Sequence, residues 1–255
     1  MQKGRAVRLE ILGLDSFPEV KPKDDLAGLI AEAVEKNRVG LKTGDIVVVA
    51  QKVVSKSEGC LVRLRDVTPS ALAREWARKR DTDPRLVEVV FRESKRIVRM
   101  SPRALITETR HGFVCANAGV DRSNVSGKGW VTCLPRDPDK SARRLARGLR
   151  SLLKATVAVI ITDTFGRPWR LGQTNVAIGA AGLQPLVDLR GTRDTFGRTL
   201  HATVLAVADE LAAAAGLAMG KRGQVPVVII RGYRYRAGND GARTLIRPAA
   251  DDLFR

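Results

Sequence analysis

The run Val157-Ala158-Val159-Ile160-Ile161 contains no polar residue. A strand covered on one face alternates apolar with polar side chains, so an unbroken run rich in β-branched residues reads as a strand buried on both faces. Such a strand needs packing layers on either side, and it delivers the residues after it to the edge of a packed sheet. Here those residues are Thr162-Asp163-Thr164-Phe165-Gly166-Arg167-Pro168-Trp169-Arg170. A carboxylate, a hydroxyl and two guanidinium groups suit a metal-bound phosphate: oxygen ligands match a hard cation such as Mg²⁺, and arginine forks match phosphoryl oxygens. Turn chemistry also favours Asp, Gly and Pro here, so the segment alone leaves a capping Asp163 and solvated arginines equally open.

Strand-like and helix-like patterns alternate along much of the chain. Strands are expected over residues 5–12, 45–51, 111–117, 157–161 and 225–230. A helix opens at Asp24-Asp25-Leu26, with Leu26, Leu29, Ile30 and Val34 on one face. Thr68-Pro69, Asp83-Pro84 and Asp137-Pro138 each place a capping residue before a proline, which suits a helix start. The third of these helices carries a stripe of Leu145, Leu149, Leu152 and Leu153, and an alanine-rich helix spans roughly 200–218. The small residues of 177–182 permit close backbone packing, and the polar stretch 234–241 reads as a mobile loop. The expected class is α/β, of the mixed α+β kind.

Among 255 residues, 45 Lys and Arg against 27 Asp and Glu leave a formal charge of +18, which favours anionic partners. The basic residues are dispersed through helix-like stretches such as 74–80, 92–103 and 143–154, so most are expected on solvated helix faces. No apolar stretch is long enough for a membrane helix, and residues 1–5 lead into a strand without the apolar core of a signal peptide. A cytoplasmic, membrane-independent protein is expected. Cys60, Cys115 and Cys133 lack metal-site spacing and are expected as buried thiols.

Two further loops come directly after strands. Asn117-Ala118-Gly119-Val120-Asp121-Arg122-Ser123-Asn124 offers a second carboxylate. If its strand lies beside 157–161, Asp121 and Asp163 could share one or two cations; close carboxylates otherwise imply a shared proton or no proximity. In Gln51-Lys52-Val53-Val54-Ser55-Lys56, Lys52 and Lys56 could place charges on phosphates, although lysines after strands are ordinary. No Walker A, dinucleotide-binding or zinc-protease motif occurs, and neither His111 nor His201 has a nucleophile beside it.

Taken together, V-V-S-K-S-E-G (53–59), N-A-G-V-D-R-S-N (117–124), I-T-D-T-F-G-R-P-W-R-L-G-Q-T-N-V-A-I-G (161–179), R-D-T-F-G-R (193–198) and A-D-E-L-A-A-A-A-G-L-A-M-G-K (208–221) resemble the coenzyme F420-0:L-glutamate ligases. The resemblance covers nearly the whole chain. It implies a family-specific ligase fold of two intertwined lobes around a central cleft, with residues 1–255 as one catalytic unit and no C-terminal nitroreductase-like domain. It further implies a homodimer using GTP, with Mg²⁺ or Mn²⁺ and K⁺ as a further candidate, to join L-glutamate to the lactyl carboxylate of coenzyme F420-0. Asp121, Asp163 and Thr164 match the family's metal ligands. Pro18, Glu19, Val20, Lys21, Gln51, Lys52, Lys56, Asn124, Gly220 and Lys221 correspond to its GTP site. In some members an acidic loop after the equivalent of Met219-Gly220 supplies a further ligand; here Gly220-Lys221-Arg222-Gly223-Gln224 has no carboxylate.

A carboxylate is a poor electrophile, so amide formation needs activation, most simply as an acyl phosphate. Arg167, Arg170 and Arg193 are candidates for clamping the transferred phosphoryl group or the substrate's phosphodiester, on their placement beside the metal loop. Two other readings fit less well. A ligase for another acceptor acid shares the motifs, whereas specific nucleic-acid binding rests on the sequence pI of 10.7 alone and has few aromatic platforms.

Overall fold

A computed structural model gives the structure at residues 7–101, 104–122, 129–220 and 223–252. The chain is a mixed α/β protein. Its elements begin with β1 (Glu10–Gly13), α1 (Leu26–Lys36), β2 (Ile46–Ala50), α2 (Gln51–Ser57), β3 (Leu61–Arg63), α3 (Ala71–Arg80) and α4 (Pro84–Glu93). Next come β4 (Ser94–Met100), β5 (Leu105–Thr109), β6 (Val114–Ala116), β7 (Trp130–Thr132) and α5 (Pro138–Leu153). The last are β8 (Ala158–Arg167), β9 (Arg170–Ala181), β10 (Val187–Asp188), β11 (Val204–Leu205), α6 (Val207–Met219) and β12 (Val227–Arg231).

The main sheet runs β1-β12-β2-β8-β9; β2 and β8 are parallel and the other neighbours antiparallel. Val47 pairs with Val159 and Val49 with Ile161, so alternation stays in phase across the centre. Val47, Val49, Val159, Ile161, Val227 and Ile229 face α1 and α5, burying Ile30, Val34, Leu145 and Leu149. Ile46, Val48, Ala158, Ile160, Val228 and Ile230 face α6, against Leu211, Ala212 and Ala215. Helices on both faces leave no solvated side to these strands, which is the physical origin of their uninterrupted apolar runs. A third cluster joins α3, α4, β5 and β7 through Trp76, Val87, Val90, Leu105 and Val131.

Several helices start at their caps. Asp25 accepts a hydrogen bond from the Ala27 N–H, and Asp83 caps α4 with Pro84 in its first turn. The start expected at Thr68-Pro69 falls instead at Ser70, whose hydroxyl accepts from the Ala73 N–H while its own N–H donates to Glu88. The strand expected to include Gln51 ends at Ala50, and Gln51 begins the buried helix α2. Of the basic stretch 92–103, Ser94 to Met100 is strand, because β4 pairs with β5, and residues 102 and 103 lie outside the described residues. Leu152 is exposed, and Ala142 joins Leu145 and Leu149 in the buried stripe. The alanine-rich helix starts only at Val207, since Val204 and Leu205 pair with β10.

The stretch 234–241 is irregular but anchored: the Gln184 N–H donates to the Arg236 carbonyl, and the Gly182 N–H to Asn239. Cys115 and Cys133 are buried and Cys60 half-buried, none in a disulfide. His111 places Nε2 2.9 Å from the Pro135 carbonyl oxygen. Among the described residues no helix is long and apolar enough to cross a membrane.

Candidate active site

The run expected to stop at Ile161 continues as strand through Thr162 to Arg167. Antiparallel β9 supplies the partner, with Asp163 opposite Val176 and Thr164 opposite Asn175. Parallel β2 does not extend as far: it stops at Ala50, opposite Thr162. The continuing edge of β8 therefore overhangs a notch at the carboxyl end of β2, the end of a parallel pair where α/β proteins place their ligands.

That notch opens into a cavity of about 1110 Å³. Its walls include Ala50, Gln51, Lys52 and Lys56 at the β2–α2 junction, Thr162 to Gly166 on β8, and Asn117 to Asp121 after β6, apart from Ala118. The loop Phe17 to Val20 and the segment Gln224 to Pro226 also line it, with Gln173, Asn175, Met219 and Gly220. The two acids expected to converge, Asp121 and Asp163, thus share one cavity with Thr164, Pro18, Glu19, Val20, Gln51, Lys52, Lys56 and Gly220. Lys21 is exposed outside the wall. Asn124 and Lys221 lie outside the described residues.

Arg167, Arg170 and Arg193 are not part of this wall. Continuation of the hairpin carries Arg167 and Arg170 beyond the notch to its exposed tip, where Arg167 donates to the Leu171 carbonyl. Arg193 is also exposed, in a bridge with Thr199. A strand that ended at Ile161 would have left Asp163, Arg167 and Arg170 in one loop, whereas β9 pairing spreads them along an arm.

The cavity's charges are paired in opposite senses. Lys52 Nζ lies 2.6 Å from Asp121 Oδ2, and Lys56 Nζ lies 2.6 Å from Glu19 Oε1. The Lys56 side chain is only 6% exposed, so its ammonium needs the counter-charge that the entrance loop supplies. Both lysines lie on one face of α2, four residues apart, and beside them the Ser55 hydroxyl donates to the Gln51 side-chain Oε1 at 2.8 Å in a buried contact. The C-terminal end of α2 is fixed to α5, because Ser141 and Arg144 both donate to Glu58.

Asp121 is held by a backbone bridge to Thr132 on β7. The preceding Asn117, Ala118 and Gly119 all have positive φ, at 53°, 52° and 70°. A left-handed alanine costs about 1–2 kcal/mol, and Ala118 retains this conformation packed into the core beside α3 and α4. Two residues after this turn, Asp121 lines the cavity. Cys115 lines the same wall, where burial, reinforced by the Asp163 carboxylate, pushes its thiol up to about 12. It is a neutral neighbour at physiological pH.

Residues 15–232 match the F420-0:Gamma-glutamyl ligase family. The chain belongs to that family. It is 46% identical over 250 residues to the coenzyme F420:L-glutamate ligase of Methanothermobacter thermautotrophicus, covering 97% of this chain and 99% of the relative. The enzymes of the same name from Methanopyrus kandleri and Methanocaldococcus jannaschii are 48% and 42% identical. Those alignments cover 98% of both chains in the first case and 97% of both in the second.

The donor set suits a hard divalent cation. Asp121, Asp163 and Thr164 offer oxygen atoms only, and the ammonium of Lys52 already sits on Asp121 as a positive charge would. Among the described residues no three His, Cys, Asp or Glu side chains form a cage. Mg²⁺ needs none, since it commonly takes one or two carboxylates and completes its shell with water and phosphate oxygens.

Residues that the sequence reading missed include Asn117, Gln173, Asn175 and Gln224, all on the wall. Asp209, in the first turn of α6, accepts from the Ala177 N–H at 2.8 Å, where β9 carries an extra residue relative to β8. It stabilises the bulge immediately before Asp163 and Thr164. Burial raises the Asp209 carboxyl above its ordinary range, with the Ala177 hydrogen bond opposing. The folded state therefore holds this proton at higher pH than the unfolded chain, and stability falls as pH rises from the ordinary aspartate value through the raised one. Asp209→Asn removes that component. As pH rises from the ordinary aspartate value through the raised one, the unfolding free energy measured by denaturant titration shifts in the variant's favour relative to wild type. A pH-independent difference would exclude burial as the source.

Proposed function

We propose that this protein is a GTP-dependent ligase that joins L-glutamate to the lactyl carboxylate of coenzyme F420-0. The observation that carries this reading is the single cavity in which Asp121, Asp163 and Thr164 meet Lys52 and Lys56 in a chain of this family. The names of the relatives support the acceptor and the amino acid. The nucleotide and the route are inferred from the chemistry of the wall.

Asp121, Asp163 and Thr164 would hold Mg²⁺ or Mn²⁺, which when bound supplies charge neutralisation at the transferring phosphoryl group. Lys52 and Lys56 sit where point charges can meet nucleotide phosphates, and the Lys56–Glu19 pair opens as phosphate replaces the carboxylate. The acceptor carboxylate oxygen attacks the γ-phosphorus, the bond to GDP breaks, and an acyl phosphate forms. The α-amine of glutamate then attacks the acyl carbon; the C–N bond forms, phosphate departs and the amine loses its proton. A cavity of about 1110 Å³ is large for one small ligand, and shielding the acyl phosphate from water inside it protects the intermediate from hydrolysis.

The test is incubation with coenzyme F420-0, GTP, Mg²⁺ and L-glutamate, with mass analysis of the deazaflavin at the end. The expected result is product heavier by whole glutamyl residues, one GDP per addition. GTP-dependent glutamylation of a different carboxylic acid, with coenzyme F420-0 unchanged, would replace the acceptor; no GDP release with any acceptor would end the proposal.

A further inference from the structure

Asn175 stands opposite Thr164 in the β8–β9 register and accepts the Thr164 hydroxyl hydrogen on Oδ1 at 3.0 Å. Its amide orientation is fixed from the other side, where Nδ2 donates to the Met219 sulfur at 3.6 Å. The room for this arrangement comes from α6: a Cβ on Gly216 would lie 3.0 Å from the Asn175 side-chain carbon. An amide oxygen has no proton to give, so this contact commits the Thr164 proton to Asn175. A hydroxyl whose proton is spent in this way enters any further contact as an acceptor, and Thr164 lines the cavity.

We infer that Asn175 is a positioning residue that makes Thr164 an oxygen donor to a divalent cation rather than a hydrogen-bond donor to phosphate. Partners behind a metal ligand commonly set its orientation, and their loss typically costs about 10–100-fold in metal affinity. Asn175 itself works through Thr164, with Met219 and Gly216 holding it in place. This inference rests on the proposed cation site, but it concerns metal binding and stands apart from the choice of acceptor.

The experiment measures Mn²⁺ affinity by electron paramagnetic resonance on the whole chain, without nucleotide or acceptor, beside the melting temperature of each variant. Asn175→Leu is expected to weaken Mn²⁺ by about 10–100-fold. Thr164→Val weakens it comparably, and the double variant loses little more, as for two residues serving one contact. Asn175→Asp keeps an acceptor for the Thr164 proton and restores affinity to within a few-fold of wild type, which a merely structural role for the amide would not predict. Wild-type Mn²⁺ affinity in Asn175→Leu, strictly additive losses in the double variant, or a wild-type chain that binds no Mn²⁺ would each overturn the inference. Loss of Mn²⁺ in Asn175→Leu alongside a failed glutamylation assay would instead retain this site and discard the acceptor.

Discussion

Asp163→Asn is expected to lower glutamate-dependent GDP release by about a thousandfold while the chain stays folded. A cation at a transferring phosphoryl group contributes several kcal/mol to the barrier, and each 1.4 kcal/mol is tenfold in rate, so about three decades are at stake. The amide matches the carboxylate in shape but not in charge, leaving Asp121 and Thr164 to hold the cation. The β8–β9 ladder runs through backbone groups and is untouched by the change. Burial is the larger cause of the raised Cys115 thiol, so it stays raised in this variant and loses only the smaller contribution of the Asp163 carboxylate. Near-normal GDP release would remove Asp163 from the chemistry, and a collapsed melting temperature would mark it as structural.

The largest expected effect on stability comes from Gly179→Ala. At this position on β9 an added Cβ would lie 2.5 Å from both the carbonyl carbon and oxygen of Pro138, backbone atoms at the start of α5. No side-chain rotation relieves that overlap, so sheet and helix must separate. Overpacking of this kind costs about 3 kcal/mol or more, which for a chain of this size lowers the melting temperature by about 6–12 °C. The separation also loosens the adjacent turn of α5, where Asp139 accepts from the Ala180 and Ala242 N–H groups. Gly166→Ala is the matched control. Its Cβ meets nothing within 4 Å, and its melting temperature should stay at the wild-type value. Equal melting temperatures for the two variants would show that α5 and β9 separate at little cost.

Much of this molecule is written into residues whose role is local. The β-branched runs of β2, β8 and β12 announce a sheet covered twice, and Asp25 and Asp83 announce their helices through caps that act within one turn. The convergence of Asp121 with Asp163 was legible from two carboxylate-bearing stretches near strands, together with a resemblance spread over the chain. Local pattern does not carry pairing partner and length. Thr162 to Arg167 has the composition of a turn and becomes strand because β9 happens to match it, and that pairing moves Arg167 and Arg170 from the candidate site to an arm. Asn175 is hidden for a similar reason: among small residues it looks like spacing, and its importance appears only when Thr164 lies across from it. The burial of Lys56 is equally hidden, since a lysine in a short helix shows no sign of what packs over it.

Past Thr162, among the described residues, β8 is laddered on the β9 side alone. Asp163 to Gly166 of this stretch line the cavity, so backbone as well as side chains borders the site there. Peptide carbonyls are common to every amino acid and peptide N–H groups to all but proline, so few point mutations delete them. Variation at the surrounding side chains can then retune affinity or acceptor preference while this polar rail persists, which gives the site a portion of its recognition that drift does not reach.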